Sequence, residues 1–557
     1  MFLASIIRVT LFWFMLIQNL RSTIYMHKMA WVSRVIVLCV SVICIGFSMQ
    51  VPVFSEMRAV AYDVGLEAER HLIQSSERLF GILQPLEMPA SDTEFVPRAN
   101  AIAAQRVKLA KGLQAEFVTR NIASLGDMIG FWPTADHPSH LLICIEQQRS
   151  GVTSRGGNGT NSSVQRVTLS DGVVETLLYG MHQCDGIRTT GWGTVLVTEE
   201  ADDGRAYEII DPLNTTGHWI ADRMVGDIRT AIDSEQVSRM VVQRVALPTL
   251  AWEGFTVLSS GAIILGDELR PGSSNLDTDG GSIFKFIPAY PRVGKSPIET
   301  LEDSPLTSGS TYALTVSCVE VDHLNFPQFG QGCEVGVGVW VNVAPRNARQ
   351  DAYRNGATGY YRPEDLHHDQ TYTGKGVRFC WTNTGRLSAG HHGEIICGVD
   401  HVFHRDPPTH FIDSRTGFLY LASGGMGKEN MSTVTINRFV EGDHRFNAHD
   451  NIAFQPITGT MYVTEDAQFG EVFACLPDGS DRDLKSDGCI SVLSVIDPRA
   501  EPTGFIFDMT GKTAYMIIQH GEQPVSLLDM TSNRITGYTD DLIKITGFLS
   551  VIHGLND

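Results

Sequence analysis

The chain is short of positive charge. Its 43 Lys and Arg stand against 63 Asp and Glu, a formal net charge of -20 over 557 residues. Nucleic-acid binding needs a basic surface that neutralises phosphates, so that class of partner is excluded. A phosphorylated small molecule is not, because bound metal ions reverse the local sign of the field. Several short motifs are also missing. There is no G-x-S-x-G elbow, no G-x-x-x-x-G-K-[ST] loop and no dinucleotide fingerprint in a βαβ context, which sets aside the commonest hydrolase, NTPase and dehydrogenase folds. No C-x-x-C is present, which argues against a zinc ribbon or a thioredoxin-type dithiol. No H-E-x-x-H occurs either, so His367, His368, His391 and His392 read as solvated loop residues rather than zinc ligands.

Two apolar runs open the chain, Phe2 to Ile17 and Trp31 to Phe47. We read residues 1–50 as a signal peptide or membrane anchor, without the twin-arginine pair of a Tat signal. The body is then exported, periplasmic or extracellular, and attachment to the membrane through the N-terminal segment stays open. Ten cysteines include Cys39 and Cys44 in this leader. The remaining even number fits disulfides in an oxidising compartment, with Cys318–Cys333, Cys380–Cys397 and Cys475–Cys489 as sequence-near pairs.

Residues 51–130 carry apolar positions at helical spacing, as in "VGLEAERHLIQSSERLFGIL", and read as a helical or extended segment. From about residue 131 to 557 the texture becomes short β-type runs separated by Gly, Asp, Asn and Pro. One pattern recurs: a glycine, a strand, a polar or acidic stop, a turn and another strand. It is seen in "GTVLVTEE…GRAYEIID", "GAIILGDE…GSIFKFIP", "GVRFCWTN…GEIICGVD", "GFLYLASGG", "GTMYVTEDAQFGEVFACLPDG" and "GKTAYMIIQHGEQPVSLLD". The repetition predicts an all-β fold, a β-propeller of about six blades with long loop insertions; a sandwich of repeated hairpins is the competing architecture.

In a propeller, equivalent strand ends from distant parts of the chain converge at one mouth. The acidic stops Glu199–Glu200, Asp267–Glu268 and Glu465–Asp466 therefore become candidates for a shared cation site. A single acidic pair would be a wet turn. Glu253 lies between Trp252 and Gly254, and a carboxylate in an apolar context is costly to bury unless paired or metal-bound. Arg362, before Pro363 and Glu364, offers a planar fork suited to phosphate, with a salt-bridged turn as the other reading. Asp450 and Asn451 open a strand as either a turn or a hard-cation ligand pair.

Taken in order, "CDGIRTTGWGTVLVTEE", "WEG", "GDE" with "GSIFKFIP", "RPED", "DNIAFQPITGTMYVTED" and "EPTGFIFDMTGKTAYMIIQHG" resemble the PhoX-type calcium-dependent alkaline phosphatases over roughly residues 180–525. The resemblance implies an exported propeller that hydrolyses phosphate monoesters with calcium and ferric iron. It implies metal ligation by Glu199, Glu200, Glu253, Asp267, Glu364, Asp450 and Glu465, phosphate binding by Arg362, and lesser roles for Glu501 and His520. One departure matters. Where the family pattern has an iron-bridging cysteine, this chain has Thr198, and a neutral hydroxyl is a far poorer iron ligand than a thiolate. Calcium sites are thus expected intact and iron, or another transition metal, is in question. The alternative is a calcium-binding propeller or scaffold module that has lost the iron site and the chemistry.

Overall fold

A computed structural model describes residues 67–149, 161–232, 234–270, 280–317, 334–401, 434–477, 488–519 and 539–549, and the backbone of 410–412 and 419–421. The leader, His520 and the expected Cys318–Cys333 pair lie outside these residues. The chain divides into Met1–His71 and Leu72–Asp557. Of the first unit only Glu67–His71 are described, and they are helical. Among the described residues, no helix is long and apolar enough to cross a membrane.

The second unit is built almost wholly of antiparallel strands. Six of them lead successive groups: β1 (Gly126–Trp132), β2 (Cys184–Thr189), β3 (Phe255–Val257), β4 (Pro363–His368), β5 (His449–Phe454) and β6 (Glu501–Phe507). Each pairs outward with the strand that follows it: His140–Ile145, Thr194–Glu199, Ile263–Gly266, Val377–Asn383, Met461–Glu465 and Thr513–Gln519. Further strands extend each group in order, except that the groups led by β3 and β4 fuse through their outer strands into one nine-stranded sheet. The leading strands neighbour one another in a closed cycle, β1–β2–β3–β4–β5–β6 and back to β1. That cycle of radially extended sheets makes the fold a β-propeller.

The sequence explains the strands. Val195, Leu196, Val197 and Thr198 form a run rich in β-branched residues whose members are all buried, which suits strands packed between sheets rather than strands facing water. The core lies between sheets, as where Leu196, Trp252, Phe255, Ile263 and Phe284 meet in one cluster. Each such side chain contributes about 1.5–3 kcal/mol on burial. The expected boundary at residue 130 falls inside β1. Segments before it also join the propeller: Val107–Leu109 pairs with Cys489–Val495, and Gln114–Ala123 pairs with Thr539–Thr546. Arg98 adds a buried ion pair to Asp541 at 2.7 Å, so the N-terminal stretch closes the sheet that the C-terminal strands begin.

Two of the sequence-near disulfides, Cys380–Cys397 and Cys475–Cys489, are present as directly opposed residues on paired strands. A third, Cys144–Cys184, joins residues 40 apart in sequence and was not evident from spacing. It ties the strand after β1 to the first residue of β2. Replacing both cysteines by Ala is expected to cost about 2–4 kcal/mol, read as a lowered denaturation midpoint under non-reducing conditions. An unchanged midpoint would show that the bridge does not stabilise the fold.

Candidate metal centre

A shared device organises the start of the leading strands. Leu125, Gln183, Arg362 and Ala448 immediately precede β1, β2, β4 and β5, and all four are non-glycine residues in the left-handed region, with φ of 68, 55, 61 and 49°. That conformation disfavours L-residues and concentrates at functional sites. A register irregularity then follows within the first residues of β1, β2, β4, β5 and β6. Such bulges re-aim a side chain that a regular pleat would direct elsewhere. A carboxylate stands at or just before the start of every leading strand: Asp127, Asp185, Glu364 and Asp450 as second residues, Glu501 as the first of β6, and Glu253 two residues ahead of β3.

The paired strand runs antiparallel, so its end lies at the same mouth. Here the acidic stops divide in a consistent way. Glu199 is fully buried and accepts hydrogen bonds from the backbone N–H of His182 at 2.9 Å and Arg205 at 3.1 Å. It also pairs with Arg223 at 2.6 Å. Asp267 accepts from Ala251 N–H at 3.0 Å and pairs with Arg349 at 2.7 Å. Glu465 accepts from the N–H groups of Asn447 at 2.8 Å and Glu471 at 3.2 Å. In each pair the first acid clamps the loop before the leading strand. Glu199, Asp267 and Glu465, expected as metal ligands, are therefore occupied within the scaffold.

The second acid of the pair faces the mouth. Glu200, Glu253 and Glu268 present oxygens all within 4.8 Å of one another, and so do Glu253, Glu364 and Asp450. Glu253 belongs to both groups. The structure thus brings together four of the expected residues, Glu200, Glu253, Glu364 and Asp450, and adds Glu268. The sequence showed an acidic pair at 267–268 but not which member turns inward. Adjacent side chains at a strand end point to opposite sides, and the Ala251 N–H and Arg349 contacts reveal that Asp267 is the scaffold member.

Arg362 lies between the two carboxylate groups. Its Nε donates to Glu268 at 2.7 Å and its Nη2 approaches Glu364 at 2.8 Å. Thr384 also donates to Glu364. Glu501 is half-buried beside Asp466, and its carboxyl donates a hydrogen bond to that neighbour. Thr198 is buried in its sheet and its hydroxyl donates to the Gly186 carbonyl at 3.2 Å.

The electrostatics follow from crowding. Burial, then the charge of Glu364, holds the Glu253 carboxyl well above the usual carboxylate range. Burial, then Glu268, does the same to Glu200. Burial followed by Asp127 raises Asp450. Glu268 runs the other way: burial pushes it up, but the hydrogen bond from Glu200 and the charge of Arg362 outweigh that and leave it low. Buried carboxylates this close either hold protons or bind cations. An oxygen-only donor set of this kind fits hard cations such as calcium.

Glu465, away from both groups, has its own signature. Burial raises its pKa to about 8 from an ordinary 4.5. A carboxyl with a raised folded pKa favours folding fully below its unfolded value and loses that contribution as pH rises through the folded value. Stability is expected to decline between about pH 4.5 and 8 through this group, and Glu465→Gln should flatten that decline in melts recorded across the window. An unchanged slope would remove Glu465 as its source.

Fold and site together define a β-propeller with two groups of converging carboxylates at its mouth that could hold cations. The chain belongs to the family described as alkaline phosphatase PhoX, whose model matches residues 175–522. Among solved structures, Pseudomonas fluorescens PhoX in complex with vanadate, a transition state analogue, is similar at 13% identity. The match covers 84% of this chain and 98% of that one, with a TM-score of 0.48. A gluconolactonase from Xanthomonas campestris is 11% identical over 83% of this chain and 96% of its own, with a TM-score of 0.35. No curated protein matches the chain.

Proposed function

We propose that this chain is an exported, cation-dependent hydrolase of phosphate monoesters, working at the mouth where Glu200, Glu253, Glu268, Glu364 and Asp450 converge. Family membership supports phosphatase activity. The single observation that carries the site is the sharing of Glu253 between two carboxylate groups with Arg362 bonded to both. Bound cations would supply charge neutralisation of the phosphate oxygens. The chain's own residues do the rest. Glu200, Glu253, Glu268, Glu364 and Asp450 hold the cations, and the Arg362 fork binds and orients a phosphate oxygen. The Glu268 and Glu364 contacts fix that fork before substrate arrives.

Calcium is the cation the donor set suits best. Thr198 offers no soft ligand, and its hydroxyl is engaged by a backbone carbonyl; iron or another transition metal would have to be held by oxygen alone. Export is supported by the disulfides, which persist in oxidising compartments. The acidic balance fits a small phosphorylated substrate drawn in by bound cations rather than a polyanion.

The test is direct. Full-length protein stripped with a chelator should have little activity on p-nitrophenyl phosphate and a lowered melting temperature, and calcium should restore both. Parallel arms with iron, manganese and zinc identify any further requirement. Absence of hydrolysis in every arm overturns the enzymatic reading, whereas a calcium-dependent melting temperature alone is the result expected of a scaffold module.

A further inference from the structure

Asp127 and Asp185 belong to neither of the two carboxylate groups, and Asp127 precedes the segment that the family model matches. They are the second residues of β1 and β2, which are neighbours in the ring. Asp127 is 8% exposed and Asp185 is 3% exposed, and the Oδ1 atom of each is buried with no hydrogen-bond partner. Gln519 fixes the other oxygen of Asp127, donating from Nε2 at 2.8 Å, and the same nitrogen lies 3.1 Å from the Gly126 carbonyl. An unpartnered buried carboxylate oxygen costs free energy, and the two aspartates are near enough that Asp127 is the strongest charge acting on Asp185.

Their charged surroundings offer no relief. Asp185 feels burial first, then Asp127, Glu146, Asp450 and Glu364, all acidic. Asp127 feels burial first, then Glu146, with Glu364 and Asp365 further down and only the Gln519 hydrogen bond opposing. The same two residues sit in the bulged starts of their strands, where side chains are turned toward the mouth.

We propose that Asp127 and Asp185 form a further cation position on the β1–β2 side of the mouth, taking a hard divalent ion such as calcium through carboxylate oxygens. Calcium accepts six to eight oxygens in loose geometry, so two protein carboxylates plus water suffice to hold it. The Cys144–Cys184 bridge anchors the residue next to Asp185 and limits how far the pair can spread when the ion leaves. The inference rests on the mouth binding cations and not on hydrolysis.

Calcium added to the chelator-stripped full-length protein, counted by atomic emission after dialysis, tests it. The Asp127→Asn/Asp185→Asn double variant is expected to retain one calcium equivalent fewer than the unsubstituted protein. Its calcium-dependent rise in melting temperature should be smaller, while its melting temperature without calcium should be higher, because two repelling charges are gone. Equal calcium content in the two proteins overturns the proposal and leaves a pair that shares protons instead. Should the double variant fail to fold, Asp185→Asn alone is read by the calcium-dependent shift, which must shrink for the proposal to stand. Phosphatase activity is followed in parallel. An inactive parent that still binds the additional equivalent refutes the hydrolase and leaves this cation position in place.

Discussion

Glu253→Gln is expected to lower phosphatase turnover by at least about 100-fold, since even partners beyond a ligand change metal affinity or activity by about 10–100-fold and Glu253 is shared between both carboxylate groups. The stability effect should have the opposite sign in the stripped protein. Without a cation, burial and the Glu364 charge both oppose ionisation of Glu253. Gln keeps the shape and removes the repulsion, so the stripped variant should melt higher than the stripped parent and gain less on adding calcium. Activity assays with saturating calcium and paired melts with and without it provide the measurement. Retained turnover would show that Glu253 does not join the two groups functionally. A lower melting temperature in the stripped variant would show that its carboxylate is compensated by something other than a cation.

The contrast between Glu199 and Glu200 explains what could and could not be read from the sequence. Repeated glycine-strand-acid units revealed the propeller, because each unit needs the same turn chemistry and the same buried run. They also revealed that acids recur at one end. Which acid faces the mouth was hidden, because that depends on an arginine supplied from elsewhere. Arg223 takes Glu199 from 24 residues away, and Arg349 takes Asp267 from 82 away. Glu465 needs no arginine and is held by two backbone N–H groups. Asp127 and Asp185 were hidden for another reason. Each stands in a strand that looks ordinary in sequence, and only the left-handed residue before it and the irregular pairing after it bring its side chain to the mouth. Asp450, read correctly as a strand opener, is the case where turn-like chemistry and position coincide. Its neighbour Asn451 is not available as a ligand in the same way, since its side-chain Oδ1 accepts from Gly504 N–H at 2.5 Å.

Arg362 carries the second large expectation. Arg362→Lys keeps a positive charge in the mouth but replaces a planar fork with a point charge. Nε and Nη2 now bond Glu268 and Glu364 on either side, and one ammonium cannot hold both in that geometry and also present a donor to phosphate. Charge-assisted hydrogen bonds contribute about 1.5–3 kcal/mol each, so losing one oriented bond predicts a fall in kcat/KM of about 10–100-fold. The inhibition constant for inorganic phosphate should weaken in parallel, because the ground-state oxyanion uses the same donor. Calcium content should stay close to that of the parent, which separates this variant from Glu253→Gln. A backbone contribution is controlled for, since Lys pays the same penalty as Arg at φ 61°. If Arg362→Lys hydrolyses p-nitrophenyl phosphate as well as the parent and binds phosphate equally, Arg362 is a brace for Glu268 and Glu364 and the phosphate must be held by other groups.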